Sequence, residues 1–331
     1  MIKAKIEIKE KKKNFYDNFK FFLKELFNRS RYNYKISSNL KLNIKNKPEL
    51  IKKINSKILK KKTILLSTAN GLYLLKEGKL FRILKNNGFY GLAKYKNKFF
   101  AACLGNNVGH SEGCIISFNY SSGQIKNIEI EHKIKKQSLH DMKIWKNNLY
   151  LINSTWRHNH LDEILKFNIK NSNLILSEKI NLNIDFPFIH MNTLFFKKDT
   201  VLVCYQNMTQ HTKIPSQICE FSKDWKFIKI LETKNLSSAH DVAIIDNKFH
   251  VLDSDHGIFY AGEKKIYIKN KFLKGFAYDK KNYYLGMNSF IKREYRTKMS
   301  PEFAIIDRKK NKIVIVKLSN IGAINNITIL N

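Results

Sequence analysis

Three of the ten histidines, His140, His190 and His240, recur fifty residues apart in matching phrases. These are Leu139-His140-Asp141-Met142-Lys143-Ile144, Ile189-His190-Met191-Asn192-Thr193-Leu194 and Ala239-His240-Asp241-Val242-Ala243-Ile244. Imidazole is the commonest metal ligand and titrates near neutrality. Three imidazoles converging on one axis could therefore hold one divalent metal ion or an anionic substrate. A residue that recurs with a repeat can also be a consensus residue that hydrogen-bonds neighbouring units, and both readings stay open at this point.

Other chemistry-bearing residues fall in irregular loops. Asn153-Ser154-Thr155-Trp156-Arg157-His158-Asn159-His160 combines an aromatic platform, a guanidinium fork and two imidazoles. Tyr205-Gln206-Asn207 through His211 adds amides, and Asp253-Ser254-Asp255-His256-Gly257 adds carboxylates. An aspartate beside a histidine can orient it as a general base, so Asp255 and His256 are acid/base candidates, with Arg157 and His158 handling protons and anionic groups. The competing reading of Asp255 is a turn residue that caps backbone amides. Trp156, His160, Tyr205, Asn207, His211, Asn107, His110 and Tyr90 are candidate ligand contacts, with Asn106 on the same rim. The chain has no GxSxG elbow, phosphate loop, HExxH or dinucleotide fingerprint. Serine-nucleophile chemistry, nucleotide hydrolysis and a nucleotide cofactor are thereby disfavoured.

The elements that position these residues follow from the repeat. After each histidine phrase comes a short polar turn and an alternating apolar strand: Asn148–Ile152, Thr200–Cys204 and Lys248–Leu252. The same pattern without histidine occurs at Tyr90–Ala93 before Lys98–Ala102, and at Lys274–Tyr278 before Asn282–Leu285. Thr63–Ser67 opens the series and makes six units. Each unit ends in a hairpin, with turns such as Lys76-Glu77-Gly78 and Ser121-Ser122-Gly123. Four strands in each of six units is the pattern of an all-β, six-bladed β-propeller, whose blades bury their faces against their neighbours. The first unit needs an inner strand from elsewhere, either Ala323–Ile329 at the far end or Leu42–Ile44. In this topology the innermost strand starts on the face to which the loop between the second and third strands returns. His140, His190, His240, His110, His158, His160, His211 and His256 thus share one face, leaving His132 and His250 elsewhere.

The reading divides the chain into a basic, short helical N-terminal extension over 1–62 and a propeller over 63–331 closed by its C-terminal strand. Phe15, Phe19, Phe22, Leu23, Leu26 and Phe27 recur at helical spacing. Such a basic amphipathic helix can lie on a membrane surface as a peripheral contact or pack on the domain it precedes. Pro48 predicts a second helix over Glu49–Leu59.

Composition sets outer limits. Against 27 Asp+Glu stand 61 Lys+Arg, for a net charge of +34, a polyanion-binding signature taken alone. The charge is spread along the whole chain and no nucleic-acid motif accompanies it, so nucleic acid is not an expected partner. A small polar or anionic ligand, or a protein partner, is. Cys103, Cys114, Cys204 and Cys219 lack CxxC spacing and lie in apolar runs, which predicts buried free thiols. No stretch has the apolar length of a bilayer span and no signal-peptide core opens the chain, so a cytoplasmic location is expected.

The phrase Ala239-His240-Asp241-Val242-Ala243-Ile244-Ile245-Asp246-Asn247-Lys248-Phe249-His250-Val251-Leu252-Asp253 resembles the repeat of NHL and gluconolactonase-type six-bladed propellers, over roughly 63–329. In the gluconolactonase-like branch, the resemblance implies a divalent cation in the channel on carboxylate and amide side chains. Asn192 and Asp241 fall near matching positions, whereas the histidines depart from that pattern. Three classes of function remain. One is metal-assisted hydrolysis or elimination (a hydrolase or lyase) on a small polar or sugar-like substrate; the second is a non-enzymatic ligand- or protein-binding propeller; the third is a basic surface protein acting through its charge and its N-terminal helix.

Overall fold

The computed structural model describes residues 43–330, apart from 55, 86–87, 105–112, 122–123, 135–138, 155–161, 172, 183–189, 208 and 232–234. The side chains of 43–47, 121, 124, 210–211 and 293–294 are likewise not described. In chain order the strands are β1 (Asn43–Lys53), β2 (Thr63–Thr68), β3 (Gly71–Lys76), β4 (Lys79–Lys85), β5 (Gly88–Tyr95), β6 (Lys98–Leu104), β7 (Gly113–Ser121) and β8 (Gln124–Ile134). The middle of the chain supplies β9 (Leu139–Trp145), β10 (Asn148–Asn153), β11 (Glu163–Lys170), β12 (Asn173–Asn181), β13 (Met191–Phe196), β14 (Thr200–Tyr205), β15 (Gln217–Ser222) and β16 (Phe227–Ile230). Then follow β17 (His240–Ile245), β18 (Lys248–Asp253), β19 (Ile258–Ala261), β20 (Lys264–Tyr267), β21 (Phe272–Tyr278), β22 (Asn282–Asn288), β23 (Glu302–Asp307), β24 (Ile313–Lys317) and β25 (Ile324–Ile329).

These strands form six antiparallel sheets, five of four consecutive strands and one in the order β1-β4-β3-β2-β25. The inner strands β25, β5, β9, β13, β17 and β21 touch one another in that sequence and back to β25, which closes the ring. The chain is a six-bladed β-propeller. Its C-terminal strand β25 provides the inner strand of blade 1, pairing antiparallel with β2 from Ile64↔Ile329 to Thr68↔Ile324.

The burial pattern explains why the strands read as they do. Strands near the channel are packed on both faces and are almost continuously apolar; Phe99–Cys103 of β6 are all buried. Outer strands lose one neighbour, and β16 is exposed along its length. Six apolar clusters lie one at each blade interface. Leu65, Leu72, Phe99 and Phe118 join blades 1 and 2, for example, and Tyr284, Phe303, Ile64 and Ile324 join blades 6 and 1. Hairpin turns use the residues that tolerate the left-handed conformation: Glu77-Gly78 (φ 52 and 72°) and Asp246-Asn247 (φ 51 and 58°). All four cysteines are buried and free.

Residues 49–53 are not helical as Pro48 suggested. They belong to β1, the added fifth strand on the outer edge of blade 1, so Leu42–Ile44 is not the source of the inner strand. The cause is tertiary. Glu49 lies opposite Arg82 in the register and pairs with its guanidinium at 3.2 Å, while a register shift between Ile44 and Glu49 takes up Pro48. Proline is tolerated on an edge strand or at a bulge because no ladder hydrogen bond is lost there. The helical stripe at Phe15–Phe27 lies outside the described residues. Among the described residues no helix is long and apolar enough to cross a membrane.

Candidate functional site

Each inner strand carries one extra residue near its start, relative to its partner. The shift falls between Phe89 and Leu92 in β5, Leu139 and Met142 in β9, Met191 and Thr193 in β13, His240 and Ala243 in β17, and Leu273 and Phe276 in β21. In β25 it falls at Ile324–Asn326. A bulge re-aims the side chains beside it, and six bulges at one level turn a set of polar groups onto the channel.

Those groups tie each blade to the next. Asp141 Oδ2 accepts from Leu194 N (3.1 Å), linking blades 3 and 4. Thr193 Oγ1 accepts from Asp241 N (3.0 Å) and Asn192 Nδ2 donates to Ala239 O (2.6 Å), linking 4 and 5. Asp241 Oδ2 accepts from Gly275 N (2.8 Å), linking 5 and 6; Gly275 has φ 85°, where a side chain would be strained. Asn288 exchanges hydrogen bonds with both the N–H and the carbonyl of Ile324, linking 6 and 1. Asn325 Nδ2 and Ser67 Oγ donate to Phe89 O and Tyr90 O, linking 1 and 2. Between 2 and 3 the backbones simply meet: a Cβ on Gly91 would lie 2.7 Å from Met142 N and 2.8 Å from His140 O. Asn326 Nδ2 reaches across to Asp141 Oδ1 at 3.4 Å.

The belt encloses a small cavity lined by Tyr90, His140, Asp141, Asn192, Thr193, His240, Asp241, Lys274, Asn325 and Asn326, with room for about one water-sized occupant. Burial, reinforced by the Asp141 charge, raises the Asp241 carboxyl to about 6 despite Lys143 and the Gly275 N–H. Lys143 follows Asp141 by two positions on β9, so both point to one face, and its Nζ lies 3.1 Å from Asp141 Oδ1. Burial pulls the Lys143 ammonium down, but Asp141 and Asp241 outweigh it and hold it above its ordinary value.

Above the belt the imidazoles stand apart in function. His240 Nδ1 faces the Ser238 carbonyl (2.7 Å) and Ser254 Oγ (2.8 Å); a carbonyl only accepts, so Nδ1 carries the proton and Nε2 keeps its lone pair. Burial holds His240 well below its usual range, with Lys274 beside it adding to the effect and His190 and Arg296 contributing less. His190, at φ 65°, turns the other way, to Ser154 Oγ of blade 3 at 3.2 Å. The Ser154 hydroxyl donates to Asp162 Oδ1 (3.0 Å), so it accepts from His190, and Asp162 Oδ2 takes the Met191 N–H. His140 meets the ring of His190 edge-on at 4.5 Å and that of Tyr90 at 5.7 Å.

The residues expected from the sequence are therefore sorted by the structure. Among the described residues no group of three or more His, Cys, Asp or Glu could hold a metal ion. His190 and His240 are each held through Nδ1 by a different serine, and the rings of His140 and His190 meet at 4.5 Å. The cation that the gluconolactonase-type resemblance implies does not fit the lower tier either. The Lys143 ammonium already sits against the Asp141 carboxylate, and the remaining space is water-sized. His256 is oriented through Nδ1 by Asp253 Oδ2 at 2.9 Å, not by Asp255, whose carboxylate takes Ser237 Oγ at 2.8 Å. Asp253 is buried, and burial raises its carboxyl, whereas His256 is 54% exposed. Tyr205 is buried between blades 3 and 4, and Asn207 is buried where Nδ2 holds Pro215 O and its carbonyl takes Thr212 Oγ1. Neither lines the cavity; both shape the loop before β15. Tyr90 does line it. His211 lies on the short helical turn Thr209–Thr212, its side chain not described. Asn107, His110, Trp156, Arg157, His158 and His160 lie outside the described residues.

Sequence reasoning missed Asp141, Lys143, Thr193, Lys274, Asn325 and Asn326. A signal existed for the first three. They stand one to three places after the repeat histidine, where the phrases HDMK, HMNT and HDVA keep polar residues inside an otherwise apolar strand.

No family model matches this chain, and no curated protein matches it. Several solved structures are similar to it at low identity. An oxidoreductase (glucose dehydrogenase) from Thermus thermophilus is 9% identical over 72% of this chain and 86% of its own, with a TM-score of 0.44. A puromycin-hydrolysing peptidase of Mycobacterium tuberculosis is 8% identical over 83% of this chain (TM-score 0.46), and a prolyl endopeptidase is 9% identical over 83% (TM-score 0.35). The chain spans 45% and 33% of the length of those two peptidases.

Proposed function

We propose that this propeller binds a small polar ligand carrying an anionic group over the mouth of its channel. The supporting observation is the arrangement around His240. Lys274 lies beside it, 4.7 Å over the Tyr90 ring, and Lys274 and Arg296 both act on the neutral imidazole. Cations converging on a low-dielectric concavity attract and orient an anion, and a neutral His240 with a proton on Nδ1 leaves Nε2 to accept from a ligand hydroxyl. The belt beneath leaves water-sized space, so the ligand rests on the belt and does not enter it. Trp156, Arg157, His158, His160, Asn107, His110 and His211 belong to this reading as further contacts.

Calorimetric titration of the full chain with a neutral monosaccharide, its sugar acid and its sugar phosphate tests the proposal. The two anions should bind and the neutral sugar should not, and Lys274→Met should weaken the anions by about tenfold or more, the worth of a charged hydrogen bond. Equal binding of all three, or an unaffected Lys274→Met, overturns it.

One observation favours a second reading, proton-transfer catalysis in a hydrolase or lyase. Asp241 lines the cavity with its carboxyl raised to about 6 beside Asp141, the tuning a general acid/base needs near neutrality. Turnover of a bound ligand that is lost in Asp241→Asn, with binding retained, would move the protein into that class.

A further inference from the structure

We infer that Lys143 is a resident counter-cation for the channel: its ammonium stands where the carboxylates of Asp141 and Asp241 would otherwise call for a divalent ion, making ring closure independent of metal. Both aspartates are needed as acceptors, since Asp141 holds Leu194 N of blade 4 and Asp241 holds Gly275 N of blade 6. Both are buried, and the Asp141 charge adds to burial in raising the Asp241 carboxyl. Two like charges in a desolvated space demand a cation. The chain supplies it from β9 itself. The side chain of Lys143 extends past Asp141, with Nζ 3.1 Å from Oδ1, and is about a third exposed (33%). The Asp241 charge also acts on it. Asp141 Oδ1 takes three donors in all, from Met142 N, Asn326 Nδ2 and Lys143 Nζ. Asp141 Oδ2 is likewise taken, by Leu194 N.

The inference is independent of the ligand proposed above the belt, and its test uses the unliganded full chain. Thermal unfolding is followed with chelator and with millimolar calcium, magnesium or manganese. The wild type should show the same Tm in every condition. Lys143→Met, which keeps the length and removes the charge, should unfold at lower temperature and regain a few degrees or more in one of the divalent ions, through binding to the native state alone. Lys143→Met combined with Asp241→Asn should recover stability and lose the response to ions. If Lys143→Met alone does not fold, the double variant decides: a folded, ion-indifferent double variant supports the inference and an unfolded one overturns it. A wild-type Tm that falls with chelator, or a Lys143→Met variant as stable as the wild type and blind to ions, also overturns it.

Discussion

Blades 3 and 5 grip their successors with carboxylates, Asp141 and Asp241, and blade 4 between them uses Thr193 and Asn192. Blades 6, 1 and 2 use Asn288, Asn325, Ser67 and the bare backbone at Gly91. Each interface has a similar apolar cluster beneath, so the two halves of the ring share their hydrophobic support and differ in the charge of the links above it. The links of the half that carries the histidines include two buried carboxylates, with Lys143 against Asp141, whereas the links of the other half are amides, a hydroxyl and close packing.

The largest test of that contrast is Asp141→Ala. It leaves Leu194 N–H and Met142 N–H without their acceptor and Lys143 without its nearest carboxylate, and each buried donor left unsatisfied costs about 1–3 kcal/mol. A denaturant midpoint near that of the wild type would remove the electrostatic account of the histidine half. Next comes Gly91→Ala in the neutral half. Its Cβ would press on Met142 N and His140 O, backbone atoms that cannot rotate away, at a cost of about 1–3 kcal/mol that does not vary with pH.

The smallest effect is also the most specific. The Asp241 carboxyl, raised from 3.8 to about 6, binds its proton more tightly in the folded chain, so its contribution to stability falls as pH rises between those values. His240 is held well below 6.5, so the stability it contributes is lost as pH falls below 6.5. The two oppose each other in one window. Asp241→Asn keeps an acceptor for Gly275 N–H and leaves His240 unopposed. Relative to the wild type it should gain about 1 kcal/mol between pH 5 and pH 7, read from paired denaturation curves. Parallel pH profiles for the two chains would show that the links of the two halves are electrostatically alike.

Much of this architecture is legible in residues. The phrases around 140, 190 and 240, with their histidine-free counterparts at 90 and 274, mark the inner strands, and Ala323–Ile329 stands out as an inner strand in need of a blade. Ser154 and Ser254, on the loops after second strands, meet His190 and His240 near the starts of the inner strands, as the topology brings them to one face. The partner of His256 was misread because Asp255 is its neighbour in sequence, while the turn brings Asp253 to Nδ1. Glu49–Lys53 was misread because its pattern cannot show that Arg82 awaits on an open sheet edge.

The sequence alone determined the ring and its number of blades, because apolar alternation and turn residues act within a blade and repeat with it; that Ala323–Ile329 supplies the closing strand was decided by the structure. Only the tertiary structure decided which serine each imidazole takes, and that Lys143 stands against Asp141. Those outcomes depend on a one-residue bulge and on φ at single positions such as His190 and Gly275. They decide contacts between blades, and residues distant along the chain have no periodicity by which to announce that they will meet.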